Sequence, residues 1–84
     1  MTMSLASRAD QVLDLGEQGC GQLVMELMLT MLALSPGQIL LVTAYDPAAA
    51  GDIAAWCRMT SNTLLQILPD SSGRQFLLQK GPNS

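Results

Sequence analysis

The chain has 84 residues, four basic and seven acidic side chains, no histidine and two cysteines, giving a net charge of −3. Without histidine there is no Ser-His-Asp or Cys-His catalysis and no imidazole metal site, and two cysteines fall short of a four-thiolate zinc site. Only Arg8, Arg58, Arg74 and Lys80 are basic, too few to displace counterions from phosphates, so neither a nucleic acid nor an anionic membrane surface is an expected partner.

Apolar residues make up 49% of the chain and charged ones 13%, a composition that packs a core rather than staying disordered. One domain is expected at this length. With only Tyr45, Trp56 and Phe76 aromatic, Leu, Ile, Val, Met and Ala must fill that core. Two cysteines do not make a secreted disulfide scaffold, and a reducing cytoplasmic setting is the expectation. Residues 1–11 are polar, lack the apolar run of a signal peptide and read as a flexible N-terminal segment. The most apolar run, Leu23 to Leu34, contains Glu26 and is shorter than the about 20 residues a spanning helix needs.

In chain order, Val12 to Leu15 is a short strand candidate ending at Gly16. Gln22 to Leu34 is rich in helix formers and is stopped by Ser35-Pro36-Gly37. Gln38 to Tyr45 is a nearly continuous apolar run with β-branched residues, the pattern of a central strand covered on much of its surface. After Asp46-Pro47, Ala48 to Met59 reads as a second helix, with Asp52 early and Arg58 late in agreement with the helix dipole. Ser61-Asn62 closes it, with Asn62 as the left-handed residue. Thr63 to Leu68 and Gln75 to Gln79 are strands joined by a hairpin loop at Pro69-Asp70-Ser71-Ser72-Gly73. Residues 81–84 read as a polar tail, leaving 12–80 as the domain.

The resulting order is β-α-β-α-β-β. The first two strands, joined through a helix, should be parallel, and the last two antiparallel. An α/β (α+β) two-layer sandwich follows, with two helices on one face of a mixed four-stranded sheet.

Cys20 stands between Gly19 and Gly21, after a strand and where a helix begins. Open backbone N–H groups and the positive end of the helix dipole favour a thiolate there, lowering the pKa from about 8.5. Flanking glycines leave the sulfur unshielded. A sulfur of this kind without histidine suits thiol exchange or persulfide chemistry better than acyl transfer. On local features alone, the other reading is a small residue fitting a tight strand-to-helix turn.

Several segments together resemble a known family. They are Leu13-Asp14, Cys20, an apolar helix, Pro36-Gly37-Gln38, Asp46-Pro47, Asp52-Ile53, Trp56-Cys57-Arg58, Thr60, Leu64-Leu65 and Phe76-Leu77-Leu78 followed by Lys80. The chain is similar, from about Leu13 to Lys80, to the TusA-type (SirA-like) sulfur carriers. The resemblance implies a β-α-β-α-β-β fold and a persulfide carried on Cys20. It also implies a sulfur donor protein (a cysteine desulfurase or a rhodanese-like protein) and an acceptor protein, with no bound cofactor. Three departures stand out. The family's C-P-x-P signature reads Cys20-Gly21-Gln22-Leu23, so both prolines are missing. Glu17-Gln18 replaces an upstream Gly-Leu and puts a negative charge near Cys20. The first helix carries none of the family's frequent basic residues.

Cys57 reads as a small core residue beside Ile53 and Trp56. Spacing leaves a Cys20–Cys57 disulfide open, the basis of a weaker redox reading. Asp46 and Asp52 read as caps or dipole partners. On the first helix, Val24, Leu27, Met28, Met31 and Leu34 should face the core. Met25, Leu29 and Leu32 then fall on an exposed apolar shoulder, a partner or self-association surface that Gly19, Gly21 and Gln22 would extend toward Cys20. This shoulder supports an alternative function, a non-catalytic protein-interaction module that retains the fold.

Overall fold

A computed structural model describes residues 9–16, 20–70 and 73–82. Its elements are β1 (Gln11–Asp14), α1 (Cys20–Leu32), β2 (Ile39–Ala44), α2 (Ala49–Met59), β3 (Thr63–Asp70) and β4 (Gly73–Gln79). This is the expected β-α-β-α-β-β order. The sheet runs β1-β2-β4-β3, with β1 and β2 parallel and the other two pairings antiparallel. The fold is thus an α+β two-layer sandwich with a mixed four-stranded sheet.

One core cluster joins the helices to the sheet. Leu23, Leu27 and Met31 of α1 and Ala49, Ile53 and Cys57 of α2 pack with Leu40 and Val42 of β2 and Phe76 and Leu78 of β4. Burial alternates along a strand, so Leu77, also fully buried, points to the opposite face, where it pairs with half-buried Leu41. Both central strands are therefore apolar on two faces, and this explains the unbroken apolar run of β2.

The structure corrects the expected core face of α1. Leu23 is 1% exposed and Met28 is 45% exposed. The packed row is Leu23, Leu27, Met31 and Leu34, with Val24 half-buried at its border. At about 100° per residue, the buried centre is turned roughly 40° from the expected one. The apolar arc of α1 is so wide that its pattern does not mark its own centre. Met25, Leu29 and Leu32 are exposed, as expected.

Other differences have local causes. Helix α1 begins at Cys20 rather than Gln22 and ends at Leu32 rather than Leu34. Pro69, Asp70 and Gly73 lie within the hairpin strands instead of the loop, in register Pro69↔Arg74 and Asp70↔Gly73. Strand β3 is an edge strand, where a proline's missing N–H leaves no central ladder bond unmade. Ser71 and Ser72 of the expected loop, and residues 1–8, lie outside the described residues. The left-handed residue after α2 is Ser61 (φ 62°), not Asn62. Asn62 is buried, and its side-chain oxygen accepts the Gly81 N–H at 3.0 Å. Gly81, expected in a polar tail, is buried as well.

Candidate functional site

Strand β1 delivers the chain to the start of α1. Asp10 opens the pairing, donating its N–H to the Ile39 carbonyl and accepting the Ile39 N–H on Oδ2. At the other end the Leu15 N–H bonds to the Thr43 carbonyl at 2.8 Å, and the Leu15 side chain is buried. The chain turns at Gly16, which sits at φ +59°, a left-handed conformation that favours glycine. Asp14 Oδ1 accepts the Gly16 N–H at 2.9 Å, and the Gly16 carbonyl accepts the Tyr45 N–H at 3.1 Å. The exit from β1 is thus tied to the exit from β2.

Four residues after Gly16, Cys20 is the first residue of α1. Its backbone therefore stands at the helix N-terminus, where the first four N–H groups have no partner within the helix and the dipole is positive. The first turn of α1 contains no acidic side chain to offset that field. Glu17, Gln18 and Gly19 lie outside the described residues, as does the side chain of Cys20. Gly21 and Gln22, directly after it, are exposed, and a Cβ on Gly21 would meet nothing within 4 Å. The turn that follows Cys20 is open to an approaching molecule.

Met25, Met28, Leu29 and Leu32 continue from this end along the solvent side of α1, 45–64% exposed. Of the residues expected to form a partner surface, Gly21, Gln22, Met25, Leu29 and Leu32 share one helix and are all exposed. Met28 joins them, because the packed row lies elsewhere.

Cys57 is a different kind of thiol. It lies in α2 at 2% exposure, beside Ile53 in the core. Burial pushes its pKa up to about 11, so it is a protonated core residue at neutral pH, as its spacing indicated. Asp46 and Asp52 also do what was expected. Asp46 Oδ1 accepts the Ala48 N–H at 2.8 Å and its carbonyl accepts the Ala49 N–H at 2.9 Å. Asp52 stands in the first turn of α2 and Arg58 in the last.

Sequence reasoning missed two features of the site's surroundings. Lys80, which the sequence placed at the end of the domain with no role assigned, is buried with its ammonium on the Leu34 carbonyl at 2.6 Å. A pocket lined by Tyr45, Asp46 and Arg74 lies at the Cys20 end of the sheet. Residues from two stretches far apart in sequence meet there, so only pairing of β2 with β4, and not local spacing, could have revealed it. Among the described residues no helix is long and apolar enough to cross a membrane.

One comparison with a known family bears on this chain. The description "Sulfurtransferase TusA" matches residues 11–80. Since that match covers most of the 84 residues, the chain belongs to the TusA sulfurtransferase family, whose members work in sulfur relay with other proteins.

Proposed function

We propose that this protein carries sulfur as a persulfide on Cys20, taking it from a donor enzyme and passing it to an acceptor. The observation that carries this reading is the place of Cys20. It is the residue that opens α1 at the C-terminal end of the parallel strand pair, followed by exposed Gly21 and Gln22. Cys57, the other thiol, is buried and held protonated.

In the loading step, the Cys20 thiolate attacks the terminal sulfur of the donor's persulfide. A new S–S bond forms on Cys20, and the donor's S–S bond breaks with its electron pair leaving on the donor thiolate. In the second step an acceptor thiolate attacks the terminal sulfur on Cys20, and Cys20 departs as thiolate. Each step exchanges one S–S bond for another, with no external oxidant and no bound cofactor. The donor would be a cysteine desulfurase or a rhodanese-like protein, the acceptor a protein thiol, and the setting the cytoplasm. Gly21 stands where a proline would stiffen the helix entry, and the Gly16–Tyr45 and Leu15–Thr43 hydrogen bonds fix the strand end that leads toward Cys20.

The test is mass measurement after incubation with a persulfide donor and removal of excess reagent. Wild type should gain the mass of one sulfur atom, reversed by dithiothreitol, and Cys20→Ser should gain none. Equal gain in Cys20→Ser, or no gain in wild type, would sink the reading.

A second reading, a non-catalytic interaction module, is favoured by the exposed Met25, Met28, Leu29 and Leu32 on α1. The helix that carries this stripe has no basic residue, so a partner held there would be recognised by apolar contact rather than by its negative charge.

A further inference from the structure

An open pocket of about 300 Å³ lies between the end of β2, the first turn of α2 and the start of β4. Ala44, Phe76, Pro47 and Ala50 give it an apolar lining, while Tyr45, Asp46 and Arg74 bring polar groups. An apolar concavity with a few convergent polar groups is the usual form of a small-molecule site, and in sheets with parallel strands such sites lie beyond the carboxyl ends of the strands. This one lies beyond the carboxyl end of β2. It shares that end with Cys20, because the Tyr45 N–H is bonded to the Gly16 carbonyl four residues before α1 begins.

Among the described residues, its two charged groups keep hydrogen-bonding capacity to spare. Asp46 uses Oδ1 for the Ala48 N–H, and Oδ2 has no partner among the described residues. The Arg74 guanidinium has no hydrogen-bond or ion-pair partner among the described residues, although a carboxylate lines the same pocket. The other described cations are elsewhere: Arg58 is in the last turn of α2, and Lys80 is committed to Leu34. Opposite charges that line one cavity without touching suit a ligand that carries both signs. A planar guanidinium with five donors takes a carboxylate in two parallel hydrogen bonds, and a free carboxylate oxygen takes an ammonium.

We propose that this pocket binds the zwitterionic head of a small α-amino acid, Arg74 holding its carboxylate and Asp46 its ammonium, with a short side chain lying against Phe76 and Ala44. Resting on the persulfide reading of Cys20, the amino acid is cysteine bearing a sulfane sulfur. Transfer then needs no protein donor. The Cys20 thiolate attacks the outer sulfur of cysteine persulfide, an S–S bond forms on Cys20, and the ligand's S–S bond breaks onto cysteine thiolate. The proton carried by the outer sulfur ends on the departing cysteine.

The experiment is an amide-resolved NMR titration of the reduced protein with L-cysteine, and in parallel with cysteamine, which lacks the carboxylate, and 3-mercaptopropionate, which lacks the ammonium. Saturating shifts are expected at Tyr45, Asp46, Ala50 and Arg74 with L-cysteine. Dissociation constants should be at least about tenfold larger for either analogue, and for L-cysteine with Arg74→Gln or Asp46→Asn, since each loses a charge-assisted contact. Asp46→Asn keeps an oxygen for the Ala48 N–H, so its melting temperature should stay near that of wild type. Shifts that do not saturate, that fall elsewhere, or that are matched by either analogue overturn the proposal. Sulfur loading of Cys20 by inorganic polysulfide, followed by mass, separates the two readings. Loading without L-cysteine binding overturns the pocket and leaves the persulfide role standing. Binding that depends on Arg74 and Asp46 without any loading leaves the amino-acid site standing and overturns cysteine persulfide as its substrate.

Discussion

Lys80, the residue directly after β4, donates its ammonium to the main-chain oxygen of Leu34 at 2.6 Å, across 46 positions of sequence. Leu34 follows the end of α1, where helix carbonyls lack partners and a cation meets the negative end of the dipole. The main chain tightens the same junction. The Lys80 N–H bonds to the Gln38 carbonyl at 3.0 Å, and the Gly37 N–H bonds to the Lys80 carbonyl at 2.9 Å. The far end of the helix that opens with Cys20 is therefore anchored by Lys80, directly after β4.

Replacing Lys80 by methionine keeps the length and apolar character of the stem but removes the donor, stranding a buried carbonyl. The expected cost is about 1–3 kcal/mol of unfolding free energy, read as a lower urea midpoint with an unchanged slope. The ammonium lies at the opposite end of a 13-residue helix from Cys20, about 20 Å away at 1.5 Å per residue. Persulfide loading of the folded variant should therefore match wild type. Undiminished stability in Lys80→Met would show that the contact contributes nothing net.

Gly81 and Gly51 should respond in opposite directions to the same substitution. A Cβ on Gly81 would stand 1.7 Å from the Ser61 carbonyl oxygen, an approach that only main-chain movement relieves. That movement would also strain the Gly81 N–H bond to Asn62 Oδ1. Gly81→Ala should cost roughly 1–3 kcal/mol, the range of overpacked sites. Gly51 is in α2, exposed, with nothing within 4 Å of an added Cβ. Gly51→Ala should stabilise by about 0.5–1 kcal/mol through helix propensity. Thermal melts of the two single variants decide the matter, and a stable Gly81→Ala would refute the packing argument.

The elements and their pairing were readable because punctuation and pattern agreed. Gly16, Ser35-Pro36-Gly37 and Asp46-Pro47 stand at or near real boundaries, and the apolar run of β2 marks a strand covered on both sides. What was not readable depended on contacts distant in sequence. Met28 was placed in the core because the arc of apolar residues on α1 exceeds the width that the sheet and α2 can bury. Gly81 read as the start of a polar tail and nothing local marked Lys80 as buried; their meeting with Leu34, Ser61 and Asn62 shows both. Of the candidate site, the helix start at Cys20 was legible to within two residues, from the glycines and the run of helix formers after them. The neighbouring pocket was not, because the β2–β4 register Ala44↔Arg74 is what brings Arg74 to the same pocket as Tyr45 and Asp46.

The stripe on α1 offers a test of partner docking that leaves the fold intact. Leu29 is 57% exposed and flanked on one side of the helix by Met25, Met28 and Leu32. A charge there disturbs no core contact, so Leu29→Glu should change stability by less than about 0.5 kcal/mol. If the stripe docks a donor or acceptor, delivery of sulfur from that protein should slow markedly, while loading by inorganic polysulfide stays unchanged. If the stripe holds a second copy, sedimentation should show a wild-type dimer lost in Leu29→Glu. Under the interaction-module reading, binding survives Cys20→Ala and is lost in Leu29→Glu. A variant that exchanges sulfur, binds partners and sediments as wild type does would remove the stripe from any account of function.

Cys57 provides the internal reference for Cys20. Burial raises the Cys57 pKa from 9.0 to about 11, so at pH 8 only about one molecule in a thousand carries its thiolate. Alkylation of native protein at that pH should modify Cys20 alone, and Cys20→Ser should resist until urea exposes Cys57. The same burial sets a stability trend. The unfolded thiol ionises near 9.0 and the folded one near 11, so below about pH 9 both states hold the proton and this group adds no slope. Between about pH 9 and 11 the unfolded state releases it first, and folding weakens as pH rises. The measurement is a difference between two proteins, which cancels every contribution they share. Urea midpoints from pH 8 to 11 should fall more steeply for wild type than for Cys57→Ala. Parallel pH profiles, or native Cys57 alkylating as fast as Cys20, would show that its thiol is not sealed in the core.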